Sequence, residues 1–178
     1  MELPVMSDTS LEAVINAPFG SVDLTEWVFG LTDEEYQACS KDHIAGGASF
    51  TSDGKRMMIN VERIGRLIVQ HYVEDVSERD HCRLISTSDT FGPSIGDRGQ
   101  LHVVWEFFVE PIDTTKTTFR NRVEVKAVTG YEDELHRQGV TLEQAQQRTE
   151  SVLVPHNAEE TPLFAKDIER KALEGRWA

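Results

Sequence analysis

Two ionisable side chains in the C-terminal part of the chain stand four residues apart, His156 and Glu160. On a continuous helix this spacing places both on one face, where the carboxylate can orient the imidazole ring and raise its basicity. Such a pair can take up and return a proton during a reaction. A structural interpretation is also open, because Asn157 can cap a new helix with Glu160 as its box partner. Pro155 and Pro162 interrupt the helical pattern and leave the two interpretations in balance.

Two further polar residues fall on faces that we predict to be apolar. Alternation along residues 66–76 places His71 on the inward side of a strand, where its ring could act as a second acid or base. Alternation along residues 117–128 places Asn121 inward as well, where its amide could bind a carbonyl or hydroxyl oxygen. Each also has a structural interpretation, since a histidine can pack on a sheet and a buried amide can tie a strand to a helix.

Four other residues are expected to contact a ligand. Trp105 and Phe164 would present aromatic rings to it, one from a strand and one from the C-terminal helix. Tyr36 and His43 flank the region where short helices meet the second strand, which we expect to be the mouth of a pocket; Tyr36 could instead be a helix-packing residue. Glu62 falls on the outer side of its predicted strand, and we expect it to be exposed.

A metal site is a weaker hypothesis. His71, His156 and Glu160 would supply a set of two histidines and one carboxylate, but no further ligand clusters with them in the sequence. Because His-x-x-x-Glu spacing is common on ordinary helices, we expect no bound metal ion. The sequence also lacks a Gly-x-Ser-x-Gly motif, a phosphate-binding glycine loop and a dinucleotide fingerprint. We therefore expect chemistry that needs no cofactor.

The elements that must position these residues follow from the periodicity of the chain. After a polar lead-in over residues 1–10, which we expect to be loose, a first strand is predicted at residues 11–17. Six further alternating segments are joined by short turns, which favours an antiparallel meander over a parallel sheet. These six predicted strands cover residues 44–51, 56–64, 66–76, 81–91, 100–112 and 117–128.

Capping signals mark the predicted helices. Asp23 precedes a short helical stretch, and Thr32 with Glu35 forms a capping box for a second one. Thr141 opens a longer helix, and an apolar stripe resumes over residues 163–173. Only this C-terminal segment is long enough to cover the apolar face of a curved sheet, and a gap between the two would suit a small ligand.

Charge and composition narrow the class of partner. The 178 residues contain 18 Lys and Arg against 31 Asp and Glu, a net charge of −13. Such a field repels nucleic acids and anionic bilayers. The apolar runs are shorter than a membrane span, the first residues lack a signal-peptide pattern, and the two cysteines form no CxxC motif. We expect one cytoplasmic domain over residues 1–178.

The order of elements resembles the helix-grip fold of the START-like (SRPBCC) superfamily. The segments that carry the resemblance are the first strand ending Ile15-Asn16-Ala17-Pro18, the Trp27 helix, Val104-Trp105-Glu106-Phe107, residues 117–126 and the closing helix over residues 156–168. The resemblance implies an α+β fold with a curved antiparallel sheet of about seven strands. It also implies two short helices after the first strand and a long C-terminal helix over a central pocket.

The superfamily includes lipid-transfer domains, birch-pollen-allergen-like proteins, polyketide aromatase/cyclases and the catalytic domain of Rieske oxygenases. Neither the glycine-rich loop of the pollen-allergen branch nor the Rieske-type iron motif occurs in this sequence. The resemblance therefore implies a pocket but no particular reaction.

Together these observations predict a pocket that binds a small hydrophobic or aromatic molecule and acts on it by cofactor-free acid–base chemistry. The reaction would be of the lyase, cyclase or hydrolase type, with His71 and His156 as acid or base and Glu160 as the orienting group. Two alternatives are a non-catalytic carrier or sensor with the same pocket, and a protein-interaction module. A homodimer is compatible with each.

Overall fold

The computed structural model describes residues 3–92 and 98–177. Within these residues the chain forms seven strands and four α-helices. In chain order they are β1 Val5–Ile15, α1 Leu24–Phe29, α2 Asp33–Gln37, β2 His43–Phe50, β3 Arg56–Ile64, β4 Arg66–Ser77, β5 His81–Phe91, β6 Arg98–Pro111, β7 Thr117–Ala127, α3 Tyr131–Arg137 and α4 Leu142–Leu173. The six predicted strands of the meander agree with β2 to β7 to within two residues at each end.

The strands form one antiparallel sheet in the order β1-β7-β6-β5-β4-β3-β2. The first and last strands are therefore neighbours, and β2 forms the opposite edge. Helix α4 packs on β1 and β7 and also reaches β3, so the sheet curves around it. This is the helix-grip α+β arrangement that the sequence predicted.

The start of the chain differs from the prediction. Residues 5–10 belong to β1 instead of a loose lead-in, and they pair with β7 up to Lys126. The polar residues there are those of an edge strand with one solvated face: Asp8 pairs with Arg122, while Met6 is buried. Residues 1 and 2 of the predicted lead-in lie outside the described residues.

The predicted inward faces of β5, β6 and β7 are confirmed, including Trp105 and Asn121. Those of β3 and β4 are reversed. Glu62 is buried on the inner face, and His71 is exposed on the outer one. Both faces of these two strands carry large apolar side chains, so hydrophobicity did not identify the inner face. The inner face instead carries the polar side chains of a site.

Helix α4 runs unbroken through Pro155 and Pro162, so the hypothesis that Asn157 caps a new helix is wrong. Both prolines lie on the exposed side of α4. There, the carbonyl groups that lose a helical partner can bond to water, which lowers the cost of each proline. His156 and Glu160 consequently share the buried face of one continuous helix.

An aromatic cluster fixes α4 and α1 on the sheet. The ring of Trp27, on α1, meets the rings of Phe107, Phe119 and Phe164 edge-on at centroid distances of 5.3, 6.0 and 5.2 Å. Its indole N–H donates to Asp167 of α4 at 2.9 Å. The predicted caps at Asp23, Thr32 and Thr141 are also formed. No helix in the described part of the chain has the length and apolar character needed to cross a membrane.

Replacing Phe164 with alanine should lower the free energy of unfolding by about 3–5 kcal/mol, because it empties a fully buried position in this cluster. The matched control is Phe50→Ala, since Phe50 is 70% exposed and its loss should change stability by less than about 0.5 kcal/mol. Urea unfolding of both variants measures the difference. Equal midpoints for the two variants would contradict the packing described here.

Candidate functional site

A cavity of about 960 Å³ lies between the inner face of the sheet and helix α4. Its walls combine apolar and polar side chains, and Trp105 and Tyr72 contribute aromatic surface. One end is closed by the polar residues Glu62, His156 and Glu160. A pocket of this size holds a drug-sized molecule, and its few polar groups lie where they could fix the orientation of such a ligand.

Two histidines and two glutamates meet at the closed end, and we refer to them as the His–Glu cluster: His43, Glu62, His156 and Glu160. Their exposed fractions are only 3–6%. Glu160 Oε2 lies 3.3 Å from Nε2 of His43 and 3.3 Å from Nε2 of His156. Glu62 Oε1 lies 3.9 Å from His43 Nε2. Strands β2 and β3 and helix α4 therefore each contribute to one buried cluster.

The tautomer of His43 is fixed by its surroundings. Its Nδ1 lies 2.7 Å from the backbone oxygen of Tyr36, which can only accept, so Nδ1 carries the proton. Nε2 is buried and makes no hydrogen bond of normal geometry with any described residue, although it faces the carboxylates of Glu62 and Glu160. A bare nitrogen beside two carboxylates is an unfavourable arrangement. Nε2 of His43 is therefore placed either to share a proton with one of these carboxylates or to bind a cation.

The carboxylate of Glu62 accepts hydrogen bonds from Tyr36 and Gln70. The hydroxyl of Tyr36 donates to its carboxylate, and the ring of Tyr36 stacks on His43 at a centroid distance of 3.9 Å. With its amide oriented to match its neighbours, Gln70 donates to Glu62 at 3.0 Å and accepts from the Tyr72 hydroxyl. These contacts fix both the position of the carboxylate and the plane of the imidazole.

Glu160 is held by Asn121. The amide nitrogen of Asn121 donates to Glu160 Oε1 at 3.0 Å, and its oxygen accepts from the indole N–H of Trp105 at 3.0 Å. Asn121 also donates to Thr161 of α4. Asn121 thus links strand β7 to helix α4, as its structural interpretation predicted. Because Asn121 occupies Oε1 of Glu160, the other oxygen, Oε2, faces the two histidines.

The surroundings of the two carboxylates in the cluster shift their pKa values in opposite directions. Burial alone would raise the pKa of Glu160, but hydrogen bonding with His156 and the proximity of His43 lower it to about 2. Burial raises the pKa of Glu62 above its ordinary value, opposed by His156 and His43. Burial would lower the pKa of His156, yet its hydrogen bond to Glu160 raises it to about 9. Without a metal ion, protons must therefore balance the cluster.

The donor set fits a divalent metal ion. Candidate ligand atoms of His43, Glu62 and His156 lie within 4.8 Å of one another, the one such group among the described residues. Ligands about 2.0–2.1 Å from a tetrahedral zinc ion are separated by about 3.3 Å. That is the separation of Glu160 Oε2 from both imidazole nitrogens. Imidazole and carboxylate are ligands that zinc accepts, and three of the four side chains also border the cavity.

The site residues predicted from sequence separate into three groups. His156, Glu160 and His43 belong to the His–Glu cluster, and His43 lies at its buried end instead of at a pocket mouth. Tyr36, Asn121 and Phe164 are buried around the cluster, and Trp105 borders the cavity. His71 lies on the outer face of the sheet, so neither its proposed role as acid or base nor the His71, His156 and Glu160 metal set is possible.

Glu62 and Gln70 were missed by the sequence analysis. The signal that could have found Glu62 is the register of the β2–β3 hairpin, which pairs Phe50 with Arg56 beside the turn. Counting back from that pair brings Ile44 to the level of Glu62, and a one-residue shift between His43 and Ala45 brings His43 there instead. Two potential ligands on adjacent strands then face the same side.

The fold resembles that of solved structures at low sequence identity. The Zhui aromatase/cyclase from Streptomyces sp. R1128 matches with a TM-score of 0.66 and 13% identity, over 93% of this chain and 94% of that one. The di-domain ARO/CYC StfQ from the steffimycin biosynthetic pathway matches with a TM-score of 0.60 and 8% identity, over 93% of this chain and 52% of that one. A START superfamily protein from Mycobacterium smegmatis matches with a TM-score of 0.50 and 14% identity, over 95% of both chains.

No family model matches the chain, and no curated protein matches it in sequence. Structural likeness at these identities establishes the fold, and the chain has the START-like helix-grip fold. Function has to be argued from the site.

Gly46 should be needed for the position of Tyr36. A Cβ at residue 46 would lie 2.6 Å from the ring of Tyr36, so Gly46→Ala should displace that ring from His43 and Glu62. We expect a loss of roughly 1–3 kcal/mol in the free energy of unfolding. Gly47→Ala is the matched control, because a Cβ there meets nothing within 4 Å. Chemical denaturation of the two variants tests this, and equal stability would show that Tyr36 is not held as described.

Proposed function

We propose that this chain is a metal-dependent enzyme that binds a small hydrophobic or aromatic molecule in the cavity and cleaves it by hydrolysis or a related lyase step. The observation that carries the proposal is the unpartnered Nε2 of His43, directed at two buried carboxylates at the closed end of the cavity. The proposal departs from the cofactor-free chemistry that the sequence favoured, because the structure adds His43 and Glu62 to the pair that the sequence suggested.

His43, His156 and Glu160 are the residues we assign to hold the ion. Glu62 belongs to the group of nearby ligand atoms, but its Oε1 lies 3.9 Å from His43 Nε2, against 3.3 Å for Glu160 Oε2, and we leave it for proton transfer. All three have a neighbour that fixes the ligand atom: Tyr36 for His43, Asn121 for Glu160, and Ser40 for His156, whose Nδ1 lies 3.4 Å from the serine hydroxyl. Such outer contacts are typical of metal ligands. A divalent ion such as zinc would polarise a carbonyl oxygen and lower the pKa of a bound water molecule.

Glu62 is the residue we assign to proton transfer. Its carboxylate is the one in the His–Glu cluster that is not assigned to the ion, and its Oε1 lies 3.9 Å from Nε2 of His43. Glu62 also borders the cavity, so a reacting molecule could lie beside it. Tyr36 and Gln70 keep its carboxylate in place during the transfer.

The walls of the cavity support a hydrophobic substrate. Strands β6 and β7 contribute Val103, Trp105, Val123 and Val125, and α4 contributes Leu153. The aromatic surface of Trp105 lies close to the cluster, since its indole is bonded to Asn121. The likeness in fold to an aromatase/cyclase is in keeping with an aromatic substrate.

Metal analysis of the purified, untagged protein should find about one divalent ion per chain, removable with a strong chelator. His43→Ala, His156→Ala and Glu160→Gln should each lose most of the bound ion. His71→Ala and Glu12→Gln are the controls and should keep it, because His71 is exposed on the outer face and Glu12 pairs with Arg120 away from the cluster. An ion content that is unaffected by the three cluster substitutions would disprove this site.

Turnover should depend on the same ion and on Glu62. A panel of naphthyl and phenyl esters, in which water adds to the acyl carbon and the aryl alcohol leaves, should include substrates whose cleavage stops on chelation and resumes when zinc is restored. Glu62→Gln should lower kcat on such a substrate by about 10²–10⁴-fold, the usual contribution of an acid–base group. Binding of the panel without any turnover would point to a carrier or sensor instead.

A further inference from the structure

Several hydrogen-bond donors around the closed end of the cavity are already used within the protein. The indole N–H of Trp105 donates to Asn121, and the amide of Asn121 donates to Glu160. The hydroxyl of Tyr36 donates to Glu62. Because these donors are committed, a ligand at this end meets mostly acceptor atoms.

Glu62, Gln70 and Tyr72 form a hydrogen-bond chain with a fixed direction. An ionised carboxylate can only accept, so the amide nitrogen of Gln70 faces Glu62, at 3.0 Å. The amide oxygen of Gln70 then faces the Tyr72 hydroxyl, also at 3.0 Å, and Tyr72 is the donor because an amide oxygen accepts. The one hydroxyl proton of Tyr72 is thereby used, and its oxygen can only accept a hydrogen bond from a further partner.

Tyr72 belongs to the wall of the cavity, as do Glu62 and Gln70. Its ring packs on that of Trp105 at a centroid distance of 5.2 Å. Burial and the charges of Glu62 and Glu160 raise the pKa of Tyr72 well above its ordinary value, so the hydroxyl keeps its proton. Besides Gln70, no residue in the described ranges makes a hydrogen bond with this hydroxyl, which leaves a lone pair for a ligand.

We propose that Tyr72 is a specificity-determining residue that accepts a hydrogen bond from a hydroxyl group of the substrate. The substrate class is then an apolar aromatic molecule with a free phenol or alcohol group near the part that reacts at the His–Glu cluster. A site that uses a buried acceptor in this way discriminates against an analogue without the hydroxyl proton, because the acceptor then lacks a partner. This inference rests on the proposed function only for the reaction itself.

A matched pair of ligands tests the hydroxyl site without knowledge of the substrate. 2-Naphthol and 2-methoxynaphthalene differ by a methyl group in place of the hydroxyl proton, and displacement of fluorescent N-phenyl-1-naphthylamine from the purified protein measures both affinities. Tyr72→Phe keeps the ring and should weaken naphthol binding by roughly three- to tenfold, the usual contribution of one hydrogen bond. Binding of the ether should stay the same, which also shows that the variant is folded.

The unmodified protein gives a second measurement that does not depend on the folding of a variant. It should bind 2-naphthol at least as tightly as the ether, although the ether is the more hydrophobic of the two. Weaker binding of the naphthol would overturn the inference, because no acceptor would then compensate for the loss of water from its hydroxyl group.

Two controls define where the naphthol oxygen lies. Tyr131→Phe should change neither affinity, because Tyr131 also borders the cavity but lies on α3, outside the hydrogen-bond chain. In the His43→Ala background, from which we expect the metal ion to be lost, the effect of Tyr72→Phe should persist. An effect that disappears there would place the naphthol oxygen on the ion and overturn the inference.

The outcomes separate this inference from the proposed function. If Tyr72→Phe leaves naphthol binding unchanged while ion binding and turnover depend on the cluster, the hydroxyl site is wrong and the proposed function stands. A Tyr72 effect in a protein that binds no ion would support the hydroxyl site and refute the metal-dependent reaction. If neither ligand binds, the ligand-binding cavity fails, and this inference fails with it.

Discussion

Two carboxylates and two imidazoles share a volume from which water is almost excluded, and the need to balance their charges governs the surrounding structure. An unpaired buried charge is costly, so each group of the cluster requires partners. Tyr36 and Gln70 supply donors to Glu62, and Asn121 supplies one to Glu160. Once these donors are in place, the remaining lone pairs converge on one point, which is what binding of a cation requires.

The backbone meets this requirement at two unusual positions. Helix α4 passes two prolines without a break because both face solvent, and this continuity keeps the His156 and Glu160 side chains one turn apart on the buried face. Strand β2 has no side chain at Gly46, and the ring of Tyr36 occupies that space. The two prolines are therefore tolerated in the helix that carries the cluster, and Gly46 leaves the space that the ring of Tyr36 needs.

The spacing of hydrophobic residues was sufficient to predict the helices and strands, but it predicted only some residues of the candidate site. Strand boundaries, the capping boxes and the inner faces of β5 to β7 follow from local patterns, because those strands have one clearly apolar side. On β3 and β4 the inner side carries Asn60, Glu62 and Gln70. The rule that polar residues face solvent therefore assigns the wrong face of these two strands to the core. Buried polar residues are stabilised by partners distant in sequence, and single-strand patterns contain no information about those partners.

The two ends of the cavity impose a direction on any ligand. The closed end gathers carboxylates and imidazoles, which suits a cation and a polarisable oxygen, while Val103, Trp105, Val123 and Val125 line the walls of the cavity. A ligand therefore gains most when its polar group lies at the closed end and its apolar body lies along these side chains. A molecule with a carbonyl group at one end of an apolar body then has a single favoured orientation. The charge distribution thus converts a general hydrophobic pocket into an orienting one, and orientation is what a reaction at a single buried centre requires.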